Sequence, residues 1–422
     1  MSRAYQTKMV ADVRAAWAAG SRSVLLQLPT GGGKTHTAAT IIAEETGPVV
    51  FAAHLDSLVG DTAARLRAAG VTCGIVAPWA KPEPEQRVQV CSLATIHARC
   101  LTPPADLIIV DECHRAAART IRGWLDRYDE ARVLGLTATP ERGDGQGLDM
   151  FDTMVSGPSV AELMAAGFLC RYDLLCPASG KGDGVAELLR RQLGAWSRCL
   201  YFAESIGAGA VVARRLREAG VSVEELYGDT PRSTREAMRT RFRSGETKVL
   251  VGVGVFVEGF DEPLADAVVL DAPFGTVGRY LQAIGRGLRP APGKDKLTIF
   301  DVRGGVHAHG LPDEGRVWSL RGVTASTRTE PGMRIATCQA CFAVYRAGPV
   351  ACPRCGATTP PKVYTREPTT AERLVAYAAI PIDKRRANYH AAMMRLAMTR
   401  FRMLPARADA WATKEALEKF PL

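Results

Sequence analysis

Between residue 22 and about residue 165 the chain alternates short apolar runs with longer amphipathic stretches. Ser23 to Leu28, Val49 to Ala53, Val88 to Cys91, Leu107 to Val110 and Val133 to Leu136 read as strands covered on both faces, since a half-exposed strand would alternate apolar with polar. Thr35 to Glu45 and Asp56 to Ala69 read as the helices between them. Such alternation predicts a parallel sheet flanked by helices. Gly- and Asp-rich patches at Gly143 to Asp149 and Gly180 to Gly184 break the pattern. A second series then follows at Cys199 to Ala203, Ser222 to Glu225, Lys248 to Val251, Ala267 to Leu270 and Leu297 to Phe300. The expected fold class is therefore α/β, with two tandem domains over residues 1–165 and 166–327. After about residue 325 a cysteine-paired segment (328–362) and a helical, basic tail (363–422) replace the alternation.

Composition narrows the classes without choosing among them. With 47% apolar, 23% charged and 7% aromatic residues, the 422-residue chain is neither disordered, collagen-like nor a coiled coil. The first twenty residues carry Arg3, Lys8, Asp12 and Arg14, unlike a secretory signal. The longest strongly apolar run, Val249 to Val257, is far short of the roughly 20 residues that span a bilayer. A cytoplasmic protein without membrane partners is expected, in a bacterial or phage-infected bacterial cell. A net charge of +10 raises the question of a polyanionic partner.

The candidate chemistry begins where the first strand runs into Pro29-Thr30-Gly31-Gly32-Gly33-Lys34-Thr35 and then a helix. Glycines let backbone N–H groups surround phosphate oxygens at a positive helix end, Lys34 can reach the outer phosphates, and the Thr35 hydroxyl can ligate magnesium. Leu28 stands where the general pattern has its first glycine. Further on, Leu107 to Val110 delivers Asp111-Glu112-Cys113-His114 at its carboxyl end. Two adjacent acids can divide the work there, Asp111 holding magnesium through water and Glu112 polarising an attacking water.

Asp-Glu-Cys-His, the Pro-Thr-Gly-x-Gly-Lys-Thr loop and Thr137-Ala138-Thr139-Pro140 together resemble the motor of superfamily 2 helicases, the DEAD/DEAH-like branch. Gly259-Phe260-Asp261 resembles the family's motif V, and the run from Gln282 to Arg289 its motif VI. The resemblance implies two RecA-like domains with ATP and Mg2+ between them. It also implies nucleotide contacts from Gln6, Gly259 and Asp261, and a catalytic set that adds Gln282, Arg286 and Arg289 to Lys34, Asp111 and Glu112. His114, Thr137 and Thr139 would link nucleotide state to strand binding, while Ala53-His54-Leu55 and Ser92 to Thr95 sit where the family grips nucleic-acid backbone. More narrowly, residues 137–148 and 300–320 resemble RadD-type bacterial and phage DNA helicases. The implied activity is ATP-dependent movement on, or unwinding of, DNA by an isolated monomer with replication or repair partners. The alternatives are remodelling of protein–DNA complexes without unwinding, and RNA as the track.

Two Cys-x-x-Cys pairs, Cys338/Cys341 and Cys352/Cys355, stand ten residues apart and suit a closed tetrahedral Zn2+ site, with Arg346 and Arg354 nearby as candidate nucleic-acid contacts. From Thr358 onward the tail carries 12 basic and 6 acidic groups, so it holds +6 of the net +10. Lys384-Arg385-Arg386, Arg395, Arg400 and Arg402, interleaved with apolar residues, read as a helix offering a basic face to phosphates or, equally, as a docked helix with a solvated side.

Overall fold

The computed structural model describes residues 3–54, 56–116, 119–142, 147–177, 189, 196–256, 260, 262–321, 334–358 and 360–365. Toward the end it adds 387, 389–391, 393, 394, 398, 409, 412 and 413. Two compact units emerge, Met1–Thr369 and Thr370–Leu422.

The larger unit opens with helix α1 (Ala4–Ala18), followed by β1 (Ser23–Gln27), α2 (Lys34–Glu44), β2 (Val49–Ala53), α3 (Asp56–Ala68), β3 (Gly74–Val76) and β4 (Val88–Ser92). It continues through α4 (Leu93–Ala98), β5 (Leu107–Asp111), α5 (Cys113–Ala116), α6 (Arg119–Leu125), β6 (Arg132–Thr137), β7 (Thr153–Ser156) and α7 (Val160–Ala165). The seven strands form one sheet in the order β3-β4-β2-β5-β6-β1-β7, every pair parallel. Residues 49–53 and 88–92 have no exposed position; the first reads as a continuous apolar run, and the second keeps Gln89 and Ser92 buried among apolar residues. One core layer holds Val10, Val13, Ile41 and Phe51, and the other holds Val50, Ile108, Trp124 and Phe151. Each such fully buried side chain contributes about 1.5–3 kcal/mol relative to exposure.

A second sheet begins with β8 (Arg171–Leu175) and β9 (Cys199–Ala203), then α8 (Ile206–Glu218), β10 (Val223–Leu226), α9 (Arg232–Ser244), β11 (Val249–Gly252) and β12 (Ala267–Asp271). It closes with α10 (Val277–Gly287), β13 (Lys296–Asp301) and α11 (Gly305–His309). Its order is β10-β11-β9-β12-β13-β8, again parallel throughout. Counted from its own first strand, each sheet runs 3-4-2-5-6-1; the first adds β7 beyond its first strand. The second sheet thus repeats the first, a kinship that residue identity along the chain does not display.

β14 (Arg334–Thr337), β15 (Val344–Arg346) and β16 (Lys362–Thr365) form a small antiparallel sheet, β14 in the middle. It covers the edge strand β8: Leu175 pairs with Ala343, and the Cys176 N–H donates to the Phe342 carbonyl at 2.9 Å. An edge covered in this way is closed to further pairing. Arg354 meets Asp173 at 3.3 Å and Arg346 meets Asp313 at 3.6 Å. Arg354 therefore ties the cysteine-rich module to β8, and Arg346 ties it to the segment that follows α11.

In the smaller unit the described residues between 387 and 413 are helical, with His390 and Asp409 3.0 Å apart. The basic positions 384–386, 395, 400 and 402 lie outside the described residues. Among the described residues no helix is long and apolar enough to cross a membrane.

Candidate active site between the two sheets

The glycine loop leaves the carboxyl end of β1 and ends at Gly33, whose left-handed backbone (φ 93°) starts α2 at Lys34. Leu28 is fully buried, and a Cβ on Gly32 would lie only 2.7 Å from its Cγ. The departure from the usual glycine spacing is thus a packing choice, an apolar wedge beneath the loop. Two side chains from α1 clasp the same loop. Tyr5 donates through its hydroxyl to the Gly32 carbonyl at 2.6 Å, and buried Gln6 donates to that oxygen at 3.4 Å while accepting from the Arg3 N–H at 2.9 Å. Phe168 completes this corner, its ring 5.5 Å from that of Tyr5 and 4.3 Å from the Arg3 guanidinium. Phe168 was not singled out from sequence, because an aromatic after a helix end carries no signal of its own.

Lys34 donates to the Leu28 carbonyl at 3.4 Å. Burial pushes its ammonium below the usual lysine range, although the carboxylates of Glu112 and Asp111 pull it back. Asp111 closes β5 in the same cleft, and burial together with the Glu112 charge raises its carboxyl to about 6. Next to it, Glu112 adopts φ 47°, a left-handed backbone unusual for a glutamate. Strain of this kind persists where surroundings over-determine it, and the surroundings are on hand. Cys113 is fully buried behind it, Gln282 donates to Glu112 Oε2 at 3.2 Å, and His114 Nδ1 lies 3.4 Å from the same oxygen. His114 Nδ1 is also 3.0 Å from Thr137 Oγ1, which donates to the Thr139 carbonyl and accepts from the Thr139 N–H. Glu112, His114, Thr137 and Thr139 are therefore one connected chain of polar contacts.

The second sheet closes the cleft through α10. Gln282 and Arg286 are buried on this helix, and the Arg286 guanidinium donates to the Phe260 carbonyl at 3.3 Å. The helix backbone comes so close to the glycine loop that a Cβ on Gly285 would sit 2.6 Å from Thr30 Cβ. Beyond the helix, Arg289 packs its Cγ within 3.3 Å of where Gly31 would carry a Cβ. Burial and the neighbouring charge of Arg65 lower its guanidinium to about 10. Lys34, Asp111, Glu112, Gln282, Arg286, Arg289 and the loop from Pro29 to Thr35 are therefore all placed by two domains around one cleft. Gly259 and Asp261 lie outside the described residues. Ser92 and Thr95 stand at the start of α4. Ser92 donates to Asp56 and caps α4, and both residues are buried.

Cys338, Cys341, Cys352 and Cys355 bring their sulfurs within 4.8 Å of one another, the one such group among the described residues. Cys338 to Cys355 and Cys341 to Cys352 both measure 3.7 Å. Tetrahedral zinc with bonds of about 2.3 Å requires a sulfur separation of about 3.8 Å, so the four thiols fit that ion. Burial opposes thiolate formation at Cys338, but N–H donation from Cys341 and Ala340 brings its thiol down to about 7. Phe342 and Gly356, each just after the second cysteine of its pair, both have positive φ, 61° and 72°. The two knuckles therefore turn alike.

Residues 1–142 match the family model described as the type III restriction enzyme res subunit, and residues 181–291 match the helicase conserved C-terminal domain. The chain belongs to the superfamily 2 helicases. It is an ATP-hydrolysing enzyme built on two RecA-like domains. A 51.5 kDa protein of a Lactococcus phage is 27% identical over 363 residues, covering 79% of this chain and 77% of its own length. The DNA 3'-5' translocase XPB2 of Sulfurisphaera tokodaii is 24% identical over 361 residues, 71% of this helicase and 80% of the relative. Among solved structures, a fragment of a type I restriction enzyme HsdR subunit from Vibrio vulnificus superposes with a TM-score of 0.59 at 20% identity. That match covers 74% of this chain and 66% of that fragment.

Proposed function

We propose that this helicase-family ATPase is a DNA translocase in which hydrolysis waits for the second domain to bring its arginines onto the nucleotide. The observation that carries the reading is the Gln282–Glu112 hydrogen bond, which joins the arginine-bearing helix of one domain to the acid pair of the other. ATP would lie along the loop from Pro29 to Thr35, with its base against Gln6 and its outer phosphates against Lys34. Asp111 and Thr35 are hard oxygen donors suited to magnesium, which would neutralise phosphate charge when bound. Glu112, held in its strained conformation, orients and deprotonates the attacking water, and Gln282 fixes that carboxylate. Arg286 and Arg289 neutralise the charge that develops on the transferred phosphoryl group. Gly259 and Asp261 belong to the same nucleotide set by the motif V resemblance.

The polar chain from Glu112 through His114 and Thr137 to Thr139 gives the hydrolytic centre a path toward the second domain. A Cβ on Gly278 of α10 would lie 2.6 Å from Thr139 Oγ1, so movement of α10 must be felt there. DNA as the track is supported by the translocase relative and by the RadD-type resemblance of residues 137–148 and 300–320. Parts of those two segments also touch, the Leu148 N–H donating to the Leu320 carbonyl at 2.8 Å. We read residues 1–165 and 166–327 as the motor, 328–362 as a zinc module that stiffens the outer edge of the second domain, and 363–422 as a separate basic tail.

The reading is tested by ATP turnover with single-stranded, forked and duplex DNA and matched RNA, together with strand displacement. Stimulation by DNA with displacement is expected. Stimulation without displacement would favour remodelling, preference for RNA would change the track, and no stimulation by any nucleic acid would refute the proposal.

A further inference from the structure

Trp79 alone among the described aromatic side chains is exposed, at 49% of its surface, whereas Trp124 and Trp196 are at 5%. A ring of that size is left in water at the cost of its apolar area unless something uses it. Its stage is rigid: Pro78 and Pro82 flank Trp79-Ala80-Lys81, and the Ala80 N–H closes a turn on the Ala77 carbonyl at 3.2 Å. The turn follows the carboxyl end of β3, the outermost strand of the first sheet, on the same edge as the ends of β2 and β4. Across from it stands Arg232, the first residue of α9 in the second domain, which follows the carboxyl end of β10, the outermost strand of that sheet. The Arg232 guanidinium lies over the Trp79 ring, 5.0 Å from its centroid. Both side chains pass over Gly60 of α3, and one helical stretch further along α9, Arg239 reaches Asp61 at 3.9 Å. The two domains therefore meet at their outer corners, away from the nucleotide cleft, through a cation stacked on an open aromatic face.

Resting on the translocase reading above, we propose that Trp79 and Arg232 form a stacking site for an unpaired base of the nucleic-acid strand. The base lies on the free face of the indole while Arg232 holds the other face and meets the adjoining phosphate. An indole accepts any base, because every base has a π-face, and a guanidinium serves both ring and phosphate. Lys81 on the same turn adds a second cation for the backbone. Since ring and guanidinium come from different domains, opening or closing of the cleft changes the stack, so the strand is held differently at each stage of the cycle. Bases inside a duplex are already stacked on each other, so the site selects single strands.

The test compares wild type, Trp79→Ala, Trp79→Phe and Arg232→Ala for binding of fluorescent oligo(dT) and of a blunt duplex of equal length, with melting temperature as the check on folding. Trp79→Ala is expected to weaken oligo(dT) binding roughly tenfold, to leave duplex binding within about twofold, and to melt like wild type. Trp79→Phe should recover most of the loss, and Arg232→Ala should lie between. Oligo(dT) should quench tryptophan emission in wild type and not in Trp79→Phe. Wild-type binding with equal affinity in Trp79→Ala, or equal losses on single strand and duplex, would overturn the stacking site while leaving the translocase reading intact. Failure of the wild type to bind either DNA would overturn both.

Discussion

The carboxyl ends of β5 and β12 occupy the same place in two sheets of the same strand order, and both end in aspartate, Asp111 and Asp271. The two acids have opposite fates. Asp271 accepts from the Tyr201 hydroxyl at 2.6 Å and from Arg303 at 2.8 Å, and Arg303 extends to Glu204. Its charge is neutralised within its own domain. Asp111 faces Lys34 and Glu112 in the cleft instead, and its carboxyl is raised to about 6 because burial and the second acid both disfavour ionisation. One arrangement builds a stable domain; the other keeps charge in readiness for a cation. The strand order is shared, and the chemistry depends on what the loops bring to the strand ends.

The widest gap between the two positions should appear when each acid is converted to its amide. Asp111→Asn is expected to reduce ATP turnover about 1,000-fold or more without lowering the melting temperature. Asp271→Asn should leave most turnover intact and cost about 1–3 kcal/mol of stability through unsatisfied partners, read by denaturant unfolding. The opposite pattern would mean that the second sheet carries the hydrolytic acid. Arg286→Ala should come next, lowering turnover on the order of 1,000-fold while ATP binding, followed with a fluorescent analogue, changes little. Loss of binding in parallel with turnover would make Arg286 a ground-state contact.

How legible this was depended on burial. Val49–Ala53 and Cys199–Ala203 are covered on both faces and were marked to the residue by their apolar runs. β3, β7 and β8 were not foreseen: β3 has three residues, and β7 and β8 carry exposed or half-exposed polar positions that dilute the apolar signal. The kinship of the sheets is a matter of strand order, which no local pattern encodes and which only the motif resemblance, with its two RecA-like domains, implied. At the site, the phosphate loop, the acid pair and the arginines were evident as motifs, since each depends on residues adjacent in sequence. The strained backbone of Glu112, the Phe168 corner and the Trp79–Arg232 stack arise from segments far apart in the chain. Motif resemblance also drew attention to Ser92 to Thr95, but not to the Ser92 side chain's role as the cap of α4.

The module on the second sheet allows a smaller test of the contrast between stability and chemistry. Metal analysis should find one zinc per chain. Cys352→Ser or removal of the ion by a thiol-reactive mercurial and a chelator should lower the melting temperature by several degrees, with a much smaller loss of turnover than Asp111→Asn. Full stability without metal would contradict the zinc assignment.

The smallest expected effect concerns pH. Asp301 ends β13, where the first sheet has Thr137 at the end of β6. Burial raises its carboxyl to about 6, with N–H donation from Val306 and Gly305 pulling the other way. A carboxyl that holds its proton more tightly when folded contributes stability in full below about pH 4, and that contribution is lost as pH rises through about 6. Wild-type stability followed from pH 4 to 7 should therefore contain a falling component that Asp301→Asn lacks. Parallel profiles for the two proteins would mean that Asp301 is ionised throughout.

The central claim is that hydrolysis in the first domain depends on engagement of the second by DNA. It is tested most directly by steady-state ATP turnover of the purified protein with and without saturating single-stranded DNA, beside Lys34→Ala. The account predicts turnover stimulated at least several-fold by DNA in the wild type and none above background in Lys34→Ala. Turnover that ignores DNA, or that survives the loss of Lys34, would contradict it.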